Sequence, residues 1–329
     1  ALAGTLGERD GFMVSHVWNE ADLVVESIER YVDVCERGGC AAHVSHLKVA
    51  GEENWGRSDE VLAVLDDAEA RGTRVSFDQY PYTAGSTMLS AVLPPWARAG
   101  SREAVRDRLR EQSVRERIRH DVEHGIEGWE NLGGTAGGWE NVLVTRTASG
   151  QAAGETIADV AAERGTTPID AICDLLVEEE LDATMADFVM SERDVERFLA
   201  DPRGTVCTDG ILGGKPHPRA IGTFPRVLGR YVRDRGTLSL ERAVHRMSGR
   251  PADLLGLPER GRVREGYVAD LVAFDAGAVA ANATYEEPMR LADGIEHVLV
   301  GGTPVVRGGE RTGERPGEVL RSTERWDGA

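Results

Sequence analysis

The stretch GTVCTDG, residues 204–210, limits what the chain can fold into more than any other. A short run of small and apolar residues ends there on an acid followed by glycine. That pattern reads as a buried strand whose C-terminal end presents a carboxylate, Asp209. Two earlier stretches have the same form: GFMVSH ends on His16, and CAAHVSH ends on His46. The segments between them are long enough to hold crossover helices. In a barrel of alternating strands and helices, reactive groups gather at the C-terminal ends of several strands. Two imidazoles and a carboxylate also form a ligand set suited to Zn²⁺. The expectation is a metal-dependent hydrolase, or part of one.

Length allows one large α/β domain with a smaller one beside it. The chain has 329 residues, 41% of them hydrophobic, and no apolar run long enough to cross a bilayer. Neither a membrane span nor a secretory leader can be read in it. Cys35, Cys40, Cys173 and Cys207 are scattered without metal-type spacing. They read as free thiols of a cytoplasmic protein. The net charge of −18 argues against nucleic acid and anionic membranes as partners. Only two bases are lysine, Lys48 and Lys215, which singles out Lys48, two residues past His46.

In chain order, a strand over 10–16 leads to an amphipathic helix carrying Leu23, Val24, Ile28, Tyr31, Val32 and Cys35, stopped by Gly38 and Gly39. A strand over 41–46 follows, then a helix from a Ser58 cap to Arg71, then the strand RVSFDQY ending at Tyr80. Strand, helix, strand, helix, strand means a parallel sheet with right-handed crossovers. From 84 to 200 the rhythm breaks. SREAVRDRLREQSVRERIRHDVEHG reads as one charged helix, GWEN occurs at 128–131 and again at 138–141, and three further helices are expected. This insertion is either a lid over the active-site face or a packing or oligomer-forming subdomain. After Asp209 comes a long loop with His217 and Arg219, then two helices. From 261 the tail reads as short strands punctuated by glycine. The expected units are barrel strands in 1–83, a helical insertion over 84–200, a last barrel strand with helices over 201–258, and a β portion over 259–329.

GRVREGYVADLVAFD resembles the C-terminal strand signature of the amidohydrolase superfamily. VSHVWNE, VSHLKVAGEENWGR, FDQYPYTAGST and TDGILGGKPHPRAIGTFPRVLGRY resemble the N-acyl-D-amino-acid deacylases within it, also called D-aminoacylases. The resemblance implies an amidohydrolase-type (β/α)8 TIM barrel with distal strands five to eight present and a small C-terminal β-sandwich portion. It implies that His16 and His46 ligate zinc from strands five and six, and that Asp209 is the catalytic acid of strand eight. Lys48, Tyr80 and Ser86 match substrate-binding positions. Val17 and Trp18 depart from the family's Met-Arg after the first of these histidines. The family's His-x-His pair and metal-ligating Cys belong to earlier strands, so the chain is expected to match the C-terminal part of a longer enzyme.

Zinc lowers the pKa of a bound water, and a carboxylate then moves its proton to the leaving nitrogen. Asp209 is the expected proton carrier. The substrate, an N-acyl-D-amino acid, carries a free carboxylate that needs a cation. Lys48 is the first candidate for it, with Arg57 and Arg219 behind, and a solvated loop lysine is the alternative. Tyr80 and Ser86 are either donors to the substrate or loop stabilisers. His43, three residues before His46, falls on the other face of its strand and is not expected to ligate. The rival readings are a cyclic-amide hydrolase of the hydantoinase or dihydroorotase type, and a catalytically incomplete fragment.

Overall fold

The computed structural model describes residues 1–321. Its organising element is a parallel sheet of β1 (Phe12–Ser15), β2 (Ala41–Val44), β3 (Val75–Gln79) and, after three intervening strands described below, a last strand Gly204–Val206. Register is continuous: Phe12 lies opposite Ala41, Ala42 opposite Val75, and Phe77 opposite Gly204. Because all four strands run the same way, their C-terminal ends meet along one edge. His16, His46, Tyr80 and Asp209 all follow those ends.

The first crossover helix, Val24–Gly38, buries Val24, Ile28, Tyr31, Val32 and Cys35, the spacing expected of one face. It stops at Gly39, whose φ of 69° is left-handed and costs glycine nothing. The second, Ser58–Ala70, does not start on a Ser58 cap. Its N-cap position is Arg57, without a side-chain cap. The Asp194 carboxylate caps it instead, accepting from Gly56 N at 2.8 Å and Ser58 N at 3.4 Å. A tertiary partner 136 residues away supplies what the local sequence was expected to supply.

The insertion departs further from expectation. The single charged helix breaks at Glu111, which takes extended geometry, into Arg102–Arg110 and Gln112–His124. The unit is also not purely helical. It contains an antiparallel sheet of β4 (Gly85–Met88), β5 (Val142–Thr147) and β6 (Ala183–Asp187), with the fully buried β6 in the middle. Around this sheet Leu89, Leu93, Leu109, Ile118, Ile172, Leu176 and Met185 form a core distinct from the one beneath β1 to β3. Since β3 pairs directly with β7 (Gly204–Val206), the insertion leaves and re-enters between neighbouring strands. That places it over the edge where the reactive residues gather.

The stretch after Asp209, expected to be a loop, becomes helical at Arg219–Arg226 and widens into a π-helical segment, Val227–Asp234. Pro225 lies inside it, where it removes one backbone donor, and the widening begins two residues later. At the C-terminal end β8 (Leu271–Phe274), β9 (Ile295–Val300), β10 (Thr303–Arg307) and β11 (Glu310–Arg311) form an antiparallel sheet. Residues 322–329 of the expected β portion lie outside the described residues. Among the described residues no helix is long and apolar enough to cross a membrane.

Candidate active site

A cavity of about 600 Å³ opens at the C-terminal edge of the parallel sheet. His16, His46, Lys48, Tyr80, Ser86, Asp209 and Arg219, the residues singled out in the sequence, all line it. Strand ends supply His16, His46, Tyr80 and Asp209, and the insertion supplies Ser86 from β4.

Glu20 joins the two histidines. Its Oε1 lies 3.4 Å from His16 Nδ1, 3.1 Å from His46 Nδ1 and 2.6 Å from Lys48 Nζ. Burial opposes ionisation of Glu20, yet Lys48 and the two imidazoles outweigh it and hold the carboxyl well below its usual range. Lys48 is therefore not the free cation expected for a substrate carboxylate. It is buried, bonded to Glu20, and 2.8 Å from His46 Nδ1. Burial works against its charge, but Glu20 more than compensates and keeps the ammonium protonated.

His16, Glu20 and His46 each offer a ligand atom within 4.8 Å of the others. Two imidazole nitrogens and a carboxylate oxygen fit a borderline divalent ion such as Zn²⁺. Among the described residues this is the one group of three or more such side chains. Asp209, the third ligand by sequence, stands outside it, with Oδ2 paired to Arg219 Nη2 at 2.8 Å.

His46 is held in left-handed geometry, φ 42°, uncommon for a residue with a side chain. Asp78 on β3 fixes it by accepting from His46 N at 2.6 Å. The other Asp78 oxygen lies 2.9 Å from His43 Nε2, and His43 Nδ1 lies 2.8 Å from Ser76 Oγ. His43 thus belongs to a buried network beneath the site and stays out of the cavity. Burial raises the Asp78 carboxyl, but the bonds from His43 and its neighbours win and hold it below the usual range.

Arg219 is 1% exposed. Nη2 donates to the Ser86 carbonyl at 3.1 Å as well as to Asp209, while Nε and Nη1 have no hydrogen-bond partner. A buried guanidinium with idle donors is costly unless something fills the cavity beside it. Its Cζ sits 4.3 Å from the centroid of the Tyr80 ring. Burial pushes the Tyr80 phenol up to about 12, so it stays a protonated donor. His217 supports this wall from behind. Its Nδ1 accepts from Arg219 N at 3.0 Å, and burial with the Arg219 charge keeps the ring neutral. Ser86 contributes its carbonyl to Arg219 and lines the cavity.

Three acids in the cavity escaped the sequence reading. Glu20 had a signal, four residues after His16 in SHVWNE. Glu130 lies in the first GWEN, which was noticed without a role. Asp187, at the end of β6, had none. Burial pushes the Asp187 carboxyl up to about 6. Burial and the Glu20 charge push Glu130 to about 7, and its Oε1 accepts from Glu20 N at 2.6 Å.

A carboxyl raised in the folded state binds its proton more tightly there than in the unfolded chain. Its favourable contribution is complete below the ordinary carboxyl range and is lost as pH rises towards 7. Glu130→Gln keeps an acceptor for Glu20 N and removes the buried charge. The metal-free variant should therefore be more stable than the parent at pH 8 by roughly 2–3 kcal/mol, with the difference vanishing near pH 4. Denaturant melts at the two pH values check this.

A parallel barrel-type sheet presenting imidazoles and carboxylates into one cavity defines a hydrolase-like site. The chain belongs to the amidohydrolase family, whose model matches residues 119–306. Its fold is of the amidohydrolase barrel type, with a separate antiparallel sheet. It is 35% identical over 319 residues to a D-aminoacylase of Alcaligenes xylosoxydans xylosoxydans, covering 97% of this chain and 56% of that protein. It is 34% identical to an N-acyl-D-glutamate deacylase of the same organism, with the same coverage. The crystal structure of N-acyl-D-glutamate deacylase from Bordetella bronchiseptica, complexed with zinc and a phosphonate mimic of the tetrahedral intermediate, superposes with a TM-score of 0.79 at 34% identity. That match covers 97% of this chain and 58% of that one. The chain spans about half the length of the relatives it matches.

Proposed function

We propose that this chain carries the distal half of a zinc-dependent N-acyl-D-amino-acid deacylase of the cytoplasm, which cleaves the amide to a carboxylate and a free D-amino acid. The observation that supports this most is the pairing, across one cavity, of the His16, Glu20 and His46 donor group with the Asp209 to Arg219 ion pair. Relatives named for these substrates, one of them with zinc bound, give the reading its chemistry. The four free thiols fit a reducing compartment.

His16, Glu20 and His46 would hold zinc, which when bound polarises the scissile carbonyl and makes water a better nucleophile. Arg219 takes the substrate carboxylate on its idle Nε and Nη1, beside the Tyr80 hydroxyl. The same guanidinium holds Asp209, so the substrate and the proton carrier are fixed by one side chain. Asp209 accepts the proton of the attacking water and returns it to the amide nitrogen as the C–N bond breaks. Lys48 keeps Glu20 ionised, and the insertion lines one side of the cavity.

Elemental analysis of the purified chain, with assay of amino acid release from N-acetyl-D-methionine and its L-enantiomer, tests the reading. Near-stoichiometric zinc with D-selective release is expected. Absence of both would overturn it for this chain. Asp78→Ala removes the acceptor that holds the His46 backbone. It should weaken zinc binding by about 10–100-fold, as loss of an outer-shell partner does, measurable by competition with a chromophoric chelator.

A further inference from the structure

A pair of histidines stands outside the cavity, on the insertion helix Gln112–His124. Ile118 and Val122 bury the inner face of this helix. His120 and His124 lie exposed one turn apart, with Glu116 a turn earlier and Glu123 beside them, all on one side by helical spacing. The two rings stack with centroids 4.3 Å apart and planes 18° from parallel.

The hydrogen bonds of the rings decide where their lone pairs lie. His124 Nδ1 is 2.8 Å from the His120 carbonyl oxygen, and His120 Nδ1 is 3.3 Å from Asp121 Oδ1. A carbonyl and a carboxylate can only accept, so each Nδ1 carries the proton. Each neutral ring then keeps its lone pair on Nε2. The pair also sits in the last turns of a 13-residue helix, where the dipole favours a cation.

We propose that His120 and His124 form a surface site for a divalent transition-metal ion, bound by both Nε2 atoms with water completing the sphere. Small rotations of two exposed rings bring the lone pairs together. Imidazole ligands select Cu²⁺, Ni²⁺ and Zn²⁺ over Mg²⁺ and Ca²⁺, with Cu²⁺ held tightest. The site adjoins the catalytic wall: Asn131 Nδ2 donates to the Val122 carbonyl at 2.7 Å, and Asn131 follows Glu130 of the cavity.

Calorimetric titration of the metal-stripped chain with Ni²⁺ tests this without reference to catalysis. The parent should bind one ion more than H120A/H124A, and H16A/H46A should keep that ion while losing the one in the cavity. Both substituted residues of H120A/H124A are exposed, so its melting temperature should match the parent. The single variant His124→Ala should also lose the ion, and Mg²⁺ should give no heat. Equal stoichiometry and affinity in parent and H120A/H124A would overturn the proposal, as would loss of all Ni²⁺ binding in H16A/H46A.

Discussion

Asp209→Asn should lower kcat by about 10²–10⁴-fold, the range that general acid–base catalysis contributes, while the zinc content stays at the parent level. The substitution keeps the shape of the side chain and removes its ability to take a proton. Zinc should stay because Asp209 lies outside the donor group of His16, Glu20 and His46 and is engaged by Arg219 instead. The two readouts separate two roles that the sequence alone leaves merged. If zinc falls together with kcat, Asp209 acts as a ligand and the proton carrier must be sought among the cavity's other acids. Parallel elemental analysis and steady-state kinetics on the same preparation make the distinction.

Arg219→Met should cost about 2–5 kcal/mol in kcat/KM, as truncating a buried hydrogen-bonded charge does, and the loss should depend on the substrate carboxylate. The parent should prefer N-acetyl-D-methionine strongly over N-acetyl-D-methioninamide, which lacks the charge that Nε and Nη1 await. In the variant that preference should collapse. Arg219→Lys should recover little, because one ammonium cannot span Asp209, the Ser86 carbonyl and a substrate carboxylate at once. An unchanged acid-to-amide preference in Arg219→Met would sink the assignment. Lys48 would not then become the default, since its charge is already matched by Glu20.

Much of the barrel part was legible because its signals are local. Apolar runs ending on His or Asp and a helix with its buried face at regular spacing can be read residue by residue. So can the stop at Gly39. The readings that failed needed partners far away in sequence. Ser58 looked like a cap, but Asp194 does the capping. The charged run from 101 to 125 had no breaker to mark Glu111, where extended geometry divides it into two helices. The short strand Ala183–Asp187 reads as a strand only when β4 and β5 pair on either side of it.

The sequence by itself determined which groups reach the catalytic edge, because a parallel strand must present the residue after its C-terminal end there. His16, His46 and Asp209 were named on that ground, and Tyr80 through the resemblance to the deacylases. Tertiary structure decided how their charges are spent. Only the folded chain brings Glu20 between the histidines, commits Lys48 to it, and leaves the buried Arg219 with idle donors. Ion pairing and burial depend on distances between segments far apart in the chain, and no local pattern carries those distances.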